Sequence, residues 1–133
     1  MKLFKRGHDG GPDSGVTGYW LIEWKRGFSI VLLHFSPGSR EAYHSHAFNA
    51  VTLWLRGRIR EESMTGSSPI SGMGPPLAYR PGQFKYTPRN RFHRVVAGPK
   101  GAWALSIRGP WRGTWQEYKN DRLINLTNGR VEV

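Results

Sequence analysis

The chain has 133 residues, which suits one domain built around one hydrophobic core. Hydrophobic residues make up 38% of the chain, too large a share for a disordered protein even at a net charge of +11. The absence of cysteine excludes disulfides, thiolate metal sites and cysteine nucleophiles, so a bound metal must use histidine, carboxylate or water as ligands.

The sequence predicts a cytoplasmic protein that does not enter a membrane. No run approaches the roughly 18 apolar residues needed to span a bilayer, and residues 1–6 lack the apolar stretch of a signal peptide. The positive charge favours anionic ligands and leaves nucleic acid open as a partner. However, the basic residues are spread along the chain, and solvated strand faces explain that spread more simply.

Residues 1–18 are predicted to be a flexible arm, because residues 7–18 are rich in Gly, Asp and Ser. The remaining residues, 19–133, are then the domain. Aromatic and β-branched runs at residues 19–24 and 28–35 predict its first hairpin. A strand ending at His46 should follow.

The middle of the chain predicts further short strands. Residues 50–55 and 58–62 form two of them on either side of Gly57, and residues 63–76, rich in Gly and Pro, form a loop. Strands resume at Ala78. Pro81 and Gly82 then turn the chain before a short extended segment at residues 83–86.

The last third predicts two more hairpins. Residues 92–96 and 103–107 flank one Gly-rich turn, and the tail offers strands at 114–118, 122–126 and 131–133, with the Asn128-Gly129 turn before the last. No segment shows a long apolar period of 3.6 residues. Many short strands with regular turns predict an all-β antiparallel sandwich or barrel.

Three histidines predict a metal site. His44 and His46 are two residues apart on a predicted strand, so both side chains should leave the same face. His93 opens a later strand, and a rolled sheet can bring it opposite the pair. Three imidazoles with open coordination positions suit one divalent transition metal, and they favour catalysis or ligand capture over a closed structural site.

The spacing around these histidines resembles the first motif of the cupin superfamily, which ends on Glu, six residues and Gly. Gly38 is followed by five residues, His44-x-His46 and three residues, and six further residues separate Ala50 from Gly57. Ala50 stands where the motif has its Glu. We therefore expect three neutral ligands, with any replacement carboxylate coming from Glu41, Glu61, Glu62 or a distant strand.

The second cupin motif is similar to the segment from Gly82 to Ala97. Five residues separate Gly82 from Pro88, and two residues separate Asn90 from His93. Asn90 replaces the motif's Gly and can adopt the same turn, and Ala97 replaces its Asn. The resemblance implies an all-β, single-domain cupin double-stranded β-helix, or jelly-roll barrel, with a metal in its mouth.

Within that superfamily, a three-histidine site without the Glu resembles the thiol dioxygenases, which implies iron as the metal, with Zn or Ni as alternatives. Their Ser-x-His-x-Tyr triad aligns with residues 104–108, which lack the His and the Tyr. The chain is also similar to small cupins of phages and bacteria, through segments such as Leu55-Arg56-Gly57 and His93-Arg94-Val95. That likeness implies the fold rather than a reaction.

Three residues are candidates for substrate binding: Arg108, Ser106 and Tyr86. Arg108 and Ser106 share one face of a predicted strand with Ala104, and the thiol-dioxygenase resemblance implies that this face points inward. There Arg108 could hold a carboxylate or phosphate bidentately, although an exposed Arg at a strand end is an equal alternative. Tyr86 is a possible proton donor, but strand-forming aromatic residues need no catalytic role.

Four further residues could line the site or could simply pack: His34, Phe48, Thr52 and Trp54. The leading functional hypothesis is a metal-dependent oxygenase with an unknown substrate. A non-catalytic module that captures a small anionic ligand is the alternative, and nucleic-acid binding through the basic surface and six Trp residues is a third. Free strand edges also predict a homodimer.

Overall fold

The computed structural model describes residues 1–9, 14–38, 44–63, 77–89, 91–119, 122–127 and 131–132. Several features predicted from the sequence lie outside these residues: the loop at 64–76, the turns at Asn90 and at Asn128-Gly129, and the side chain of Glu41. Ten strands lie inside them. They are β1 (Lys2–His8), β2 (Val16–Glu23), β3 (Ser29–Phe35), β4 (Ala50–Ser63), β5 (Leu77–Tyr79), β6 (Phe84–Thr87), β7 (His93–Arg108), β8 (Thr114–Lys119), β9 (Arg122–Thr127) and β10 (Val131–Glu132).

The strands form one large and one small sheet, and every pair is antiparallel. The large sheet has the order β1-β2-β3-β7-β4-β5, with β6 paired to the first part of β4, and the small sheet has the order β10-β9-β8. The predicted all-β architecture is therefore confirmed. No helix is present in the described parts of the chain, so none there is long and apolar enough to cross a membrane.

The core lies against one face of the large sheet because burial alternates along its strands. In β3, every second residue from Ser29 to Phe35 is buried, and β2 and the end of β7 show the same alternation. The buried apolar side chains form one cluster: Val16, Trp20, Val31, Leu33, Phe35, Trp54, Ile59, Val95, Ala97, Ala102 and Ala104. Alanines fill several of the inward positions, which leaves room for the large indole rings.

Two strands are longer than the sequence predicted. β4 runs through Gly57 without a break, and β7 runs through the Gly-rich segment 98–101 that we expected to be a hairpin turn. The two halves of β7 pair with β4 instead of with each other, so the ladder decides the continuity. At Gly57 the backbone has φ +85°, and a Cβ there would collide with the carbonyl oxygen of Gly101, so only glycine lets the two strands approach so closely.

The predicted N-terminal arm contains a strand. β1 pairs with β2 from Lys2 opposite Glu23 to His8 opposite Thr17, so strand structure begins well before Tyr19. Lys5 strengthens this pairing through an ion pair with Glu23 at 2.8 Å. Local propensity did not predict β1, because its hydrogen bonds come from the partner strand β2. The division of the chain after residue 18 into arm and domain stays a prediction.

Candidate metal centre

Backbone hydrogen bonds place the three histidines side by side. The amide of His44 donates to the carbonyl of His93 at 2.8 Å, and the amide of His93 donates back at 2.9 Å. The amide of His46 donates to the carbonyl of Arg89 at 3.2 Å. His44 forms only two isolated bridges, with His93 and with Glu117, so the described part of the predicted strand ending at His46 is not regular strand.

The rings converge as the sequence predicted. Ring centroids lie 4.7 Å apart for His44 and His46, 5.1 Å for His44 and His93, and 5.0 Å for His46 and His93. One ring nitrogen from each residue lies within 4.8 Å of the others. The Nε2 atoms of His44 and His46 are 3.2 Å apart, so they face the same point.

The orientation of His93 fits a metal ligand. Its Nδ1 donates a hydrogen bond to Oε2 of Glu61 at 2.6 Å, which fixes the proton on Nδ1 and leaves a lone pair on Nε2. That Nε2 is buried, and the described residues offer it no hydrogen-bond partner. A carboxylate behind a histidine whose other nitrogen is bare is the arrangement by which proteins orient metal-binding imidazoles.

Glu61 lies at the centre of a buried charge cluster. Its side chain is fully buried, and the same Oε2 that accepts from His93 forms an ion pair with the buried ammonium of Lys85. Arg91 approaches the other oxygen, Oε1, at 3.5 Å. From the sequence we expected Glu61 only as a possible replacement metal ligand. In the structure it instead accepts a hydrogen bond from Nδ1 of His93, which is itself a candidate ligand. Glu62 instead pairs with two arginines, Arg60 and Arg94.

Burial and positive neighbours favour the neutral form of two of the site imidazoles, His46 and His93. Burial lowers the pKa of His46 well below its usual 6.5, and the charges of His44, His93 and Arg108 lower it further. Burial likewise lowers the pKa of His93, followed by the charges of Lys85 and His44. Neutral imidazoles present the lone pairs that a metal requires.

Arg108 is buried, which fits the inward orientation implied by the resemblance rather than the equally rated exposed one, and a carboxylate of the chain binds it. Its Nη1 and Nη2 donate to the two oxygens of Asp9 at 3.1 and 2.7 Å. Burial alone would raise the pKa of Asp9, but the guanidinium of Arg108 holds it below 3.8. The guanidinium also lies 4.8 Å from the ring of Phe48, which packs on His46. The sequence missed Asp9 because it fell in the predicted arm.

The other predicted side chains divide between the two faces of the large sheet. Ser106 and Thr52 are buried opposite each other on β7 and β4, and Trp54 joins the core cluster. Tyr86 is 58% exposed, on the face of β6 opposite to that of Lys85, so it does not reach the histidines. His34 packs on Trp103, with ring centroids 4.4 Å apart, away from the three-histidine cluster.

No protein-family model and no curated protein matches this sequence. Solved structures do match it. The polyketide cyclase RemF from Streptomyces resistomycificus is 20% identical, with a TM-score of 0.70 over 89% of this chain and 83% of its own. An RmlC-like cupin from Shewanella frigidimarina is 18% identical, with a TM-score of 0.61 over 82% of this chain and 86% of its own. KdgF from Halomonas sp. is also 18% identical, with a TM-score of 0.59 over 79% and 90%. This chain therefore has the all-β jelly-roll fold of the cupin superfamily, as the spacing of its histidines implied.

Proposed function

We propose that this protein is a metal-dependent enzyme of the non-haem oxygenase type, in which His44, His46 and His93 bind one divalent transition metal. The observation that carries the proposal is the state of His93: Glu61 holds its Nδ1, its buried Nε2 has no hydrogen-bond partner among the described residues, and one nitrogen of each of the three rings lies within 4.8 Å of the others. A buried ring nitrogen that has no partner costs free energy unless a ligand binds it. A metal ion removes that cost.

Three imidazoles suit Fe, Zn or Ni, and the resemblance to the thiol dioxygenases supports iron as the first choice. When bound, the metal would supply Lewis-acid or redox chemistry to a substrate beside it. Within the described residues, no carboxylate oxygen joins the three nitrogens, and a buried alanine, Ala50, stands where cupins have their Glu. Three neutral ligands would keep the full charge of the ion, which favours an anionic co-ligand.

The chain's own residues would order such a co-ligand. The inward face at the end of β7 presents Ser106 and Arg108, and the guanidinium adds a fixed positive charge near His46. The rings of Phe48, Trp111 and Trp115 pack together beside it, with centroids 5.3 and 5.7 Å apart, and they would help to exclude water.

A second candidate function is the non-catalytic capture of a small anionic ligand. It requires that a ligand's carboxylate displace Asp9 from the fork of Arg108, which holds both oxygens of that side chain in the fold. The net charge of +11 would raise the local concentration of such ligands. The predictions of nucleic-acid binding and of a cytoplasmic location stay predictions.

Metal analysis of untagged protein tests the site. We expect one bound ion per chain after reconstitution with Fe, Zn or Ni, and its loss in His93→Ala, with His34→Ala as the control because that ring lies on the outer face. Full occupancy in His93→Ala would contradict the site. Oxygen consumption by the Fe-loaded protein with thiols and organic acids then separates the two functions, since a capture module binds without turnover.

A further inference from the structure

Glu117 on β8 lies next to the histidine cluster, on the side of His44 that is opposite to His93. His44 makes two antiparallel bridges, one with His93 and one with Glu117. Residues that pair directly across antiparallel strands project their side chains from the same face of the ladder. The side chains of His93, His44 and Glu117 therefore stand in one row, and His44 is its middle member.

The hydrogen bonds around His44 and Glu117 bring their side chains close together. The amide of Ser45 donates to the carbonyl of Gln116 at 2.8 Å, and the amide of Gln116 donates to Oγ of Ser45 at 2.9 Å. The first of these bonds flanks the pair, which makes His44 and Glu117 a non-hydrogen-bonded pair. The Cβ atoms of such pairs are about 4.5–5.5 Å apart, and a Glu side chain is long enough to reach a ring across that distance.

Alternation along β8 turns the face that carries Glu117 towards the site. Trp115 stands two residues earlier, so it shares that face. Trp115 packs against the buried cluster around Phe48, and the ring of Phe48 lies 5.1 Å from the ring of His46. Glu117 is half-buried, whereas Gln116 between the two is exposed.

We propose that Glu117 is a positioning residue of the metal site: its carboxylate accepts a hydrogen bond from Nδ1 of His44 and leaves Nε2 for the ion. The inference rests on the proposed function, since it assigns a role within the same site. Nε2 of His44 lies 3.2 Å from Nε2 of His46, so Nδ1 is the nitrogen that a carboxylate would hold. Glu61 holds Nδ1 of His93 in the same manner.

The distribution of acidic residues supports this role. No Asp or Glu stands between Glu62 and Glu117, and the chain as a whole carries a net charge of +11. Negative charge close to three neutral ligands stabilises a divalent ion between them. Glu61 belongs to β4 of the large sheet and Glu117 to β8 of the small sheet, so metal binding would couple the two sheets.

Competition with a chelator for Zn, measured on the full chain, tests the inference by comparing Glu117→Gln with the double variant Glu117→Gln/Gln116→Glu. The double variant restores the net charge but places it on the other face of β8. We expect both variants to bind Zn about 10–100-fold more weakly than the wild type, and Gln116→Glu alone to bind as the wild type does. Recovery of affinity in the double variant would overturn the inference, because charge without the contact would then suffice.

Nuclear magnetic resonance of the Zn-loaded protein adds a measurement that a general loss of stability would not explain. The Nδ1–H signal of His44 should shift in Glu117→Gln, while that of His93, which Glu61 holds, should stay in place. An unmoved His44 signal, or wild-type Zn affinity in Glu117→Gln, would overturn this inference alone. A wild type that binds no Fe, Zn or Ni would overturn the proposed metal site and this inference with it.

If Glu117→Gln does not fold, Glu117→Asp replaces it. That variant keeps the negative charge and shortens the side chain by one methylene, so it should also bind Zn more weakly than the wild type. Wild-type Zn affinity in a folded Glu117→Asp variant would count equally against the contact with His44.

Discussion

Replacing Glu61 tests two roles of its carboxylate: the orientation of His93 and the charge balance of the buried cluster. A single oxygen, Oε2, accepts the proton of His93 Nδ1 and also pairs with Lys85. Gln has nearly the same volume as Glu, but its neutral amide oxygen is a weaker acceptor and cannot balance a buried ammonium. Glu61→Gln should therefore weaken two interactions while leaving the packing intact.

The expected magnitudes follow from the type of each contact. Loss of the carboxylate behind a metal-binding imidazole typically lowers metal affinity about 10–100-fold. Loss of one partner of a buried ion pair typically lowers the free energy of unfolding by about 3–5 kcal/mol, and Lys85 has only 4% of its side chain exposed. Arg91 compensates for neither loss, because its positive guanidinium can neither accept the proton of His93 Nδ1 nor balance the charge of Lys85.

The double variant Glu61→Gln/Lys85→Met distinguishes the two effects. Removing both charges should recover most of the free energy of unfolding, because no uncompensated ammonium remains buried. It should not recover metal affinity, because His93 still lacks its carboxylate. Urea denaturation of the metal-free proteins measures the first quantity, and competition with a chelator measures the second.

Glu62→Gln is the matched control, since Glu62 neighbours Glu61 but pairs with arginines rather than with histidine. It should bind metal as the wild type does. Wild-type metal affinity in Glu61→Gln would refute the orienting role of the carboxylate. Equal metal affinity in Glu61→Gln and Glu62→Gln, both reduced, would show a general effect of lost negative charge instead.

Three further outcomes follow from the same contacts. The fold holds the pKa of His46 and of His93 well below 6.5, so the unfolded chain binds more protons than the folded chain at lower pH. The free energy of unfolding of the metal-free protein should therefore fall as the pH drops below about 6.5, by up to about 1.4 kcal/mol per pH unit for each imidazole. A flat profile between pH 7 and pH 5 in urea denaturation would contradict this. Asp9→Asn leaves buried Arg108 without its counter-ion, so it should lower the free energy of unfolding by about 3 kcal/mol, and a change under about 1 kcal/mol would count against that pairing. Gly57→Ala should lower the melting temperature by many degrees, whereas Gly113→Ala, where a Cβ meets open space, should leave it nearly unchanged; equal shifts would refute the close approach of β4 and β7.

Local pattern was sufficient for much of the fold. Alternation along residues 103–108 predicted that Ser106 and Arg108 share one face of that strand and Ile107 lies on the other, and in the structure the first two are buried while Ile107 is exposed. Which face points inward was implied by the resemblance alone. Gly82 has a positive φ of 88°, as the turn predicted after Pro81 requires. These features depend on neighbours in sequence, so the sequence carries them directly.

The extent of the strands depended on their partners. A glycine inside an apolar run favours a turn in isolation, and for that reason Gly57 and the segment 98–101 were predicted as breaks. In the sheet, the ladder between β4 and β7 supplies enough hydrogen bonds to carry both strands past these points. The strand β1 was not predicted for the same reason: its hydrogen bonds come from the partner strand β2.

The sequence by itself was sufficient to select the three histidines as one candidate metal site, because their spacing relative to glycines and strand ends is a local property. Only the tertiary structure decided what surrounds them. Glu61 and His93 are 32 residues apart, and Asp9 and Arg108 are 99 residues apart, so no local pattern links either pair. Each pair forms because the folded chain brings distant segments together and leaves a buried charge that must find a partner.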